Sequence, residues 1–278
     1  FFVDSGEKIM RAYGTTPHPN ILATYLFLAI FAFYFIHIYP NKHNKRYDIM
    51  IYHTASRFWW VWYSLLLFGL FFTFSRVVIF LLFLNFAVRT ILIRLKFREE
   101  FWNKRIALLF SVTLIVIGIF LLFYWSEVLS RMTISSEEEA VQLRMFYNRE
   151  ALGGGLNLFG IGLGDFTGWL MEQNPNLPRH VYQPVHNIYL LMYSEIGVVG
   201  LFFFLLFLIG LIYEFIKKTR LSELKNYSFL LVVISILFIG LFDHFLLTIQ
   251  QGRLIFWLVL TMLAVGDIIQ GQSGGHDG

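Results

Sequence analysis

Seven apolar stretches, each about as long as a bilayer is thick, leave this chain few ways to fold. A hydrocarbon core of about 30 Å takes roughly 20 apolar residues in a helix. Runs near that length recur at 21–39, 58–74, 77–93, 106–125, 188–213, 227–242 and 254–269. The 278 residues are 57% hydrophobic and only 14% charged, where a soluble domain carries about 25% charged residues. So much apolar surface needs lipid as its solvent. The expected fold is all-α: a polytopic integral membrane helical bundle of about seven transmembrane helices, spanning 1–270 as one domain. The Gly-rich, polar tail 271–278 is expected to be disordered. The chain opens on Phe1 without a signal-peptide pattern, so it reads as a fragment whose earlier helices are missing.

Charge placement orients the bundle. The connections 41–57, 94–105 and 214–226 are dense in Lys and Arg, as in Lys42, Lys45, Arg98, Lys104, Lys217 and Lys218. Such loops belong in the cytoplasm, and all three fall on one side when seven helices are threaded in order. The opposite, outer side then holds 1–20, the Ser75-Arg76 turn of a tight helical hairpin, the large loop 126–185, and 243–253. A loop that long is usually functional. It begins with Glu137-Glu138-Glu139, read as a solvated face or helix start, and continues into an amphipathic helix near 142–152. Two glycine clusters follow, at 153–155 and 160–164. Gly160-Ile161-Gly162-Leu163-Gly164 imitates a dinucleotide fingerprint, but no strand precedes it, and that reading is rejected.

The outer cations are mostly arginines, among them Arg11, Arg76 and Arg144. The planar guanidinium fork suits phosphate oxygens. Arg76 sits in a turn at the membrane boundary, a position equally open to an arginine snorkelling to headgroups. Arg89 lies inside the third stretch, where an intramembrane charge needs a partner or must snorkel to the inner boundary, the latter being favoured. His18, His186 and His244 fall at outer boundaries with polar company: Asn20, Asn187 and Glu195, and Asp243 with Gln250 and Gln251. A lone His is more often structural, but this clustering suits proton transfer near neutral pH. No HxxxH or HExxH spacing supports a metal site, and the absence of Cys removes thiolate ligands and disulfides. Neither a metal nor a cofactor is expected.

Several segments resemble the O-antigen ligase and polymerase superfamily, in order along the chain. They are Arg11 to Asn20 ahead of the first helix, Thr73-Phe74-Ser75-Arg76 in the hairpin, Arg144 with Ala151, and the stretch from Gly160 to Phe166. The most specific is His186-Asn187, nine residues, Gly197, two residues and Gly200, with Asp243-His244 and Gln250-Gln251-Gly252 a weaker match. One departure is Phe146-Tyr147 where the family often has Trp after its loop Arg; another is that members usually have more than seven helices. The resemblance implies a metal-independent glycosyltransferase on the outer face of the bacterial cytoplasmic (inner) membrane. It would move a glycan from undecaprenyl diphosphate to a hydroxyl of a glycan, lipid or protein acceptor. Nucleic acid is no partner.

On that reading Arg76 and Arg144 hold the diphosphate, with Arg11 as a third candidate. His18, Asn20 and His244 contribute to substrate binding. His186 is the general base, oriented by Glu195 or Asn187. Trp169, Tyr182 and Tyr189 pack, with sugar stacking the lesser alternative. The ligase branch is the first expectation. A polymerase joining lipid-linked repeats shares its donor chemistry, and a transporter or flippase is the alternative from another class. The transporter is disfavoured because the polar groups gather at a boundary and the helices look unbroken at mid-membrane.

Overall fold

The computed structural model describes residues 2–4, 7–38, 59–96, 104–132, 139–153, 157–219 and 223–265. Two short antiparallel strands, β1 (Phe2–Asp4) and β2 (Glu7–Ile9), precede an otherwise helical chain. The helices are α1 (Pro19–Ile38), α2 (Trp59–Phe72), α3 (Arg76–Leu95), α4 (Lys104–Met132), α5 (Glu139–Leu152), α6 (Phe166–Gln173), α7 (Ile188–Thr219), α8 (Leu224–Ile239), α9 (Phe245–Thr248) and α10 (Gln250–Val265). Each of the seven apolar stretches is a helix: α1, α2, α3, α4, α7, α8 and α10. Four of them (α1, α3, α4 and α7) are long and apolar enough to cross a membrane, and the other three are shorter apolar helices. The protein is a polytopic membrane helical protein. The loop 41–57, Arg98, Glu137-Glu138, Gly154-Gly155 and the tail 271–278 lie outside the described residues.

The chain divides into two compact units, one of 1–133 with 223–232, the other of 134–222 with 233–278. In the first, α1 packs on α2 and α3, and α2 packs on α4. Its core is aromatic: Phe27, Tyr63 and Phe71 are buried, and Phe71 and Phe72 both meet Phe120. Arg89 does not snorkel. It is 4% exposed, and its guanidinium carbon lies 3.6 Å from the centroid of the Tyr34 ring. A desolvated cation on a π-face is worth about 2 kcal/mol, which offsets part of the cost of burying the guanidinium. α4 also runs seven residues beyond Trp125, with a non-helical backbone at Tyr124. The long loop after α4 therefore starts later than the apolar run suggests.

The second unit contains that loop and α7. Its segments pack around their own small core of Tyr147, Phe166, Leu170, Val181, Val185 and Leu191. The expected amphipathic helix is α5, starting at Glu139. α7 is not one continuous helix. It breaks at Gly197 (φ 72°, ψ −174°), contrary to the expectation of unbroken helices. An intact ladder would join the Val198 N–H to the Ser194 carbonyl and the Val199 N–H to the Glu195 carbonyl. Instead, residues 157–162 insert between them. Ile161 N donates to the Ser194 carbonyl (2.9 Å) and Gly162 N to the Glu195 carbonyl (2.9 Å). Val198 N and Val199 N donate to the Asn157 and Leu158 carbonyls at 2.9 and 3.2 Å. All four freed groups are thus satisfied, which a segment at membrane depth requires.

The insertion leaves no room for side chains at two points. A Cβ at Gly197 would lie 2.3 Å from the Leu158 carbonyl oxygen, and one at Gly160 would lie 2.2 Å from the Glu195 backbone. Gly197 also has the positive φ that only glycine adopts without strain. Gly197→Ala is expected to lower the stability of the detergent-solubilised protein by at least ~1–3 kcal/mol. Gly118→Ala, which meets nothing within 4 Å, should be neutral or slightly stabilising. Thermal unfolding of both variants checks this, and a Gly197→Ala protein that melts like the wild type would show that the break can be rebuilt.

Candidate functional site

The candidate residues form two clusters, one in each unit. In the first unit, the chain before α1 straps down the turn between α2 and α3. Ala12 N donates to the Phe72 carbonyl at 2.9 Å. Arg11 donates through Nε to the Thr73 carbonyl (2.7 Å) and through Nη2 to Asn20 Oδ1 (2.8 Å). Ser75 Oγ donates to the same Asn20 oxygen (3.0 Å), and His18 Nδ1 accepts from Asn20 N (3.2 Å). Arg11 and Asn20 thus hold the Ser-Arg turn together.

That turn is strained. Phe74 has φ 48°, a left-handed backbone unusual for a bulky residue. It brings Arg76 to the first turn of α3. A cation there opposes the positive end of the helix dipole, so helix stability does not explain it. Together, the arginine and the helix N-terminus favour an anion.

In the second unit, His186 stands two residues ahead of α7. Asn187 caps that helix: its Oδ1 accepts from Tyr189 N (2.9 Å) and Leu190 N (3.1 Å). The head of the helix is tied further by Ile188 N donating to the Gly240 carbonyl (2.8 Å). The Tyr189 hydroxyl donates to the Leu237 carbonyl (2.9 Å). The His186 ring stacks on Tyr147, with centroids 5.6 Å apart, and meets His244 edge to face at 4.9 Å. Tyr147 is fixed by its hydroxyl, which donates to the Val181 carbonyl (2.6 Å), and burial raises its pKa. His244 is held in turn. Its backbone N–H donates to Asp243 Oδ1 (2.9 Å), and its Nδ1 lies 2.6 Å from Thr248 Oγ1.

Burial pushes the His186 pKa down to about 4. Asp243 opposes that shift, His244 and Arg144 add to it, and the Pro184 carbonyl again opposes it. The ring is therefore neutral near pH 7 and able to take a proton. Its Nδ1 is buried with no hydrogen-bond partner among the described residues. Arg144, on α5, is exposed, and its charge acts on the His186 ring.

Glu195 does not orient His186. Its carboxyl accepts hydrogen bonds from the backbone N–H groups of Gly164 and Phe166, at the break in α7. Asn187 acts on helix backbone; the rings of Tyr147 and His244 pack on the imidazole, and the charges of Asp243 and Arg144 act on it. Asp243 and Tyr147 were missed as site residues. The Asp243-His244 dipeptide was the signal for one, and nothing local marks the other. The hydroxyl of Tyr182 is spent on the Asn174 carbonyl (2.7 Å), and Trp169 packs on the loop core. Among the described residues no group of three or more His, Asp or Glu could hold a metal ion.

The family description O-antigen ligase matches residues 61–205, just over half of the chain. The chain belongs to the O-antigen ligase family. The match includes Arg76, Arg144, His186, Asn187 and Glu195, while Arg11, His18, Asn20 and His244 lie outside it. No curated protein and no solved structure gives a significant match. Membership in the O-antigen ligase family supports a ligase- or polymerase-type glycosyltransferase function, a lipid-linked glycan donor and a membrane setting.

The charges around His186 predict its titration. Its imidazole NMR signal should titrate near pH 4. Arg144→Gln removes a positive neighbour and should move the midpoint up, and Asp243→Asn removes a negative one and should move it down. Since the unfolded chain takes this proton first, the fold should lose stability as pH falls from about 6.5 towards 4.

Proposed function

We propose that this protein transfers an oligosaccharide or polysaccharide from undecaprenyl diphosphate to an acceptor hydroxyl on the outer face of the cytoplasmic membrane. The observation that carries this reading is the half-buried His186, stacked on Tyr147 and meeting the His244 edge, with the charges of Asp243 and Arg144 acting on it. Glycan transfer from a lipid diphosphate needs a base for the acceptor and a cation for the leaving group, and this cluster contains both.

His186 takes the hydroxyl proton as the acceptor oxygen attacks the anomeric carbon. The new C–O bond forms, the bond from that carbon to the diphosphate oxygen breaks, and its electron pair leaves on the diphosphate. A carboxylate beside the base stabilises the imidazolium formed, a role for Asp243. Arg144 balances the charge that builds on the leaving oxygens without exchanging a proton. Arg76 binds donor phosphate within its own unit, where Arg11, His18 and Asn20 position the turn that carries it. Glu195 and Asn187 hold the backbone that presents His186, and His244 packs against its edge. A bound diphosphate adds negative charge and raises the His186 pKa towards its ordinary value, which makes it a stronger base with donor in place.

The test uses purified full-length protein in lipid with an undecaprenyl diphosphate-linked oligosaccharide, with products resolved on a gel. His186→Ala should lose transfer by roughly 100-fold or more while folding and inserting normally; retained transfer would overturn the base assignment. Arg144→Lys should weaken donor use by about tenfold, because a point charge cannot replace a bidentate fork. A single His186-dependent product on a separate acceptor identifies a ligase. A His186-dependent ladder on the carrier lipid identifies a polymerase, and no transfer to any acceptor overturns the enzyme reading.

A further inference from the structure

Residues 157–163, which enter the break in α7, carry apolar side chains that the fold leaves open. Leu158 is 51% exposed, Phe159 78% and Leu163 74%. The part of α7 they adjoin is open in the same way. Val199, whose N–H donates to the Leu158 carbonyl, shares a helix face with Phe202, Phe203 and Leu206 at spacing i, i+3, i+4 and i+7, and all four are exposed. α7 is long and apolar enough to cross a membrane, so lipid is the natural partner of that face.

The basic end of the same helix sets the height of the insert. Lys217 and Lys218 lie in its last turn, where cations mark a membrane boundary. From Lys217 back to Gly197 the helix rises roughly 30 Å at about 1.5 Å per residue, the thickness of a hydrocarbon core. By that measure the break, and the insert with it, falls at the opposite boundary. Irregular backbone near hydrocarbon needs its polar groups satisfied. Here Phe159 N and Gly160 N donate to Asn157 Oδ1, and Ile161 N and Gly162 N donate to carbonyls of α7. The Asn157 and Leu158 carbonyls accept from Val198 N and Val199 N. The backbone is thus paired, and apolar side chains are what the insert turns outward. Scattered exposed apolar residues are ordinary, but these three adjoin a lipid-facing strip on a paired backbone.

We propose that residues 157–163 form an interfacial anchor, with Leu158, Phe159 and Leu163 entering the acyl chains of the leaflet at that end of α7. The partner is bilayer lipid, met through its apolar chains. Asp165 is exposed two residues beyond Leu163, and a carboxylate there opposes deeper entry. The anchor fixes the height of the docked loop. The Glu195 carboxyl holds the Gly164 and Phe166 N–H groups, and Phe166 shares its core with Tyr147, the ring on which His186 stacks. Lipid gripping the insert therefore sets where that ring stands above the acyl boundary, whatever reaction the protein performs.

The test is spin labelling of the full-length protein in phosphatidylcholine nanodiscs. The chain has no cysteine, so each single label is unambiguous. Phe159→Cys and Leu163→Cys are compared with Phe203→Cys, on the lipid-facing strip, and with Glu172→Cys, exposed on α6. Oxygen, which concentrates in acyl chains, and a water-soluble nickel chelate serve as relaxation agents. The labels at 159 and 163 should match the one at 203, with oxygen the more effective agent severalfold. Nickel access equal to that at 172, at either position, overturns the proposal. Low access to both agents also overturns it, since a protein partner would then cover the insert. In the unsubstituted protein, phosphatidylcholine carrying a diazirine near the head end of an acyl chain should label 157–163 together with α7. Labelling of α7 without the insert overturns the proposal even where a cysteine variant misfolds.

Discussion

A helix in lipid can be interrupted only where other groups take over the hydrogen bonds it gives up. The second unit is organised around one such exchange. Residues 157–162 enter the ladder of α7 between Ser194-Glu195 and Val198-Val199, and each freed carbonyl and N–H finds a partner in the insert. The exchange depends on two glycines facing backbone at distances no Cβ tolerates. Asn157 turns the insert, its Oδ1 accepting from Gly160 N (2.8 Å) and Phe159 N (3.2 Å). The Glu195 carboxyl then receives the N–H groups of Gly164 and Phe166, which ties the start of α6 to the same place.

This arrangement makes a long polar loop into a support. The docked loop builds its own core, and Tyr147, 1% exposed, lies in it. One side of His186 is therefore a ring locked by a hydroxyl-to-carbonyl bond, and another is the edge of His244. An imidazole packed this way is dry enough to remain neutral and is restricted in its rotation. The role proposed for His186 as a base draws on both properties.

The first unit meets a related problem differently. Its α2–α3 turn is short and strained, and side chains from a distant segment hold it. Arg11 and Asn20 act as connectors between the chain before α1 and the Thr73–Ser75 backbone. Arg76 thus follows a turn held in place by Arg11 and Asn20. Arg89 follows the same economy, turning inward onto Tyr34 where a ring face replaces water.

The apolar runs alone determined the all-helical membrane fold and the order of its seven apolar helices, because a bilayer constrains length and polarity locally. The sequence also showed the family, since His186-Asn187, Gly197 and Gly200 keep their spacing along one stretch of chain. It pointed to His186 and Arg144 as residues with chemistry to do, because those types cluster near a boundary. It could not show that α7 is broken, since Gly197 in an apolar run is indistinguishable from a tolerated helical glycine until its hydrogen bonds are traced to residues 157–162. Only the tertiary structure brought the charge of Asp243 to bear on His186 and gave Glu195 to the loop backbone. Those pairings join residues far apart in sequence, and no local period encodes them. Burial too belongs to the fold: a histidine's pKa depends on what packs around it, and here that is Tyr147 and His244, 39 and 58 residues away along the chain.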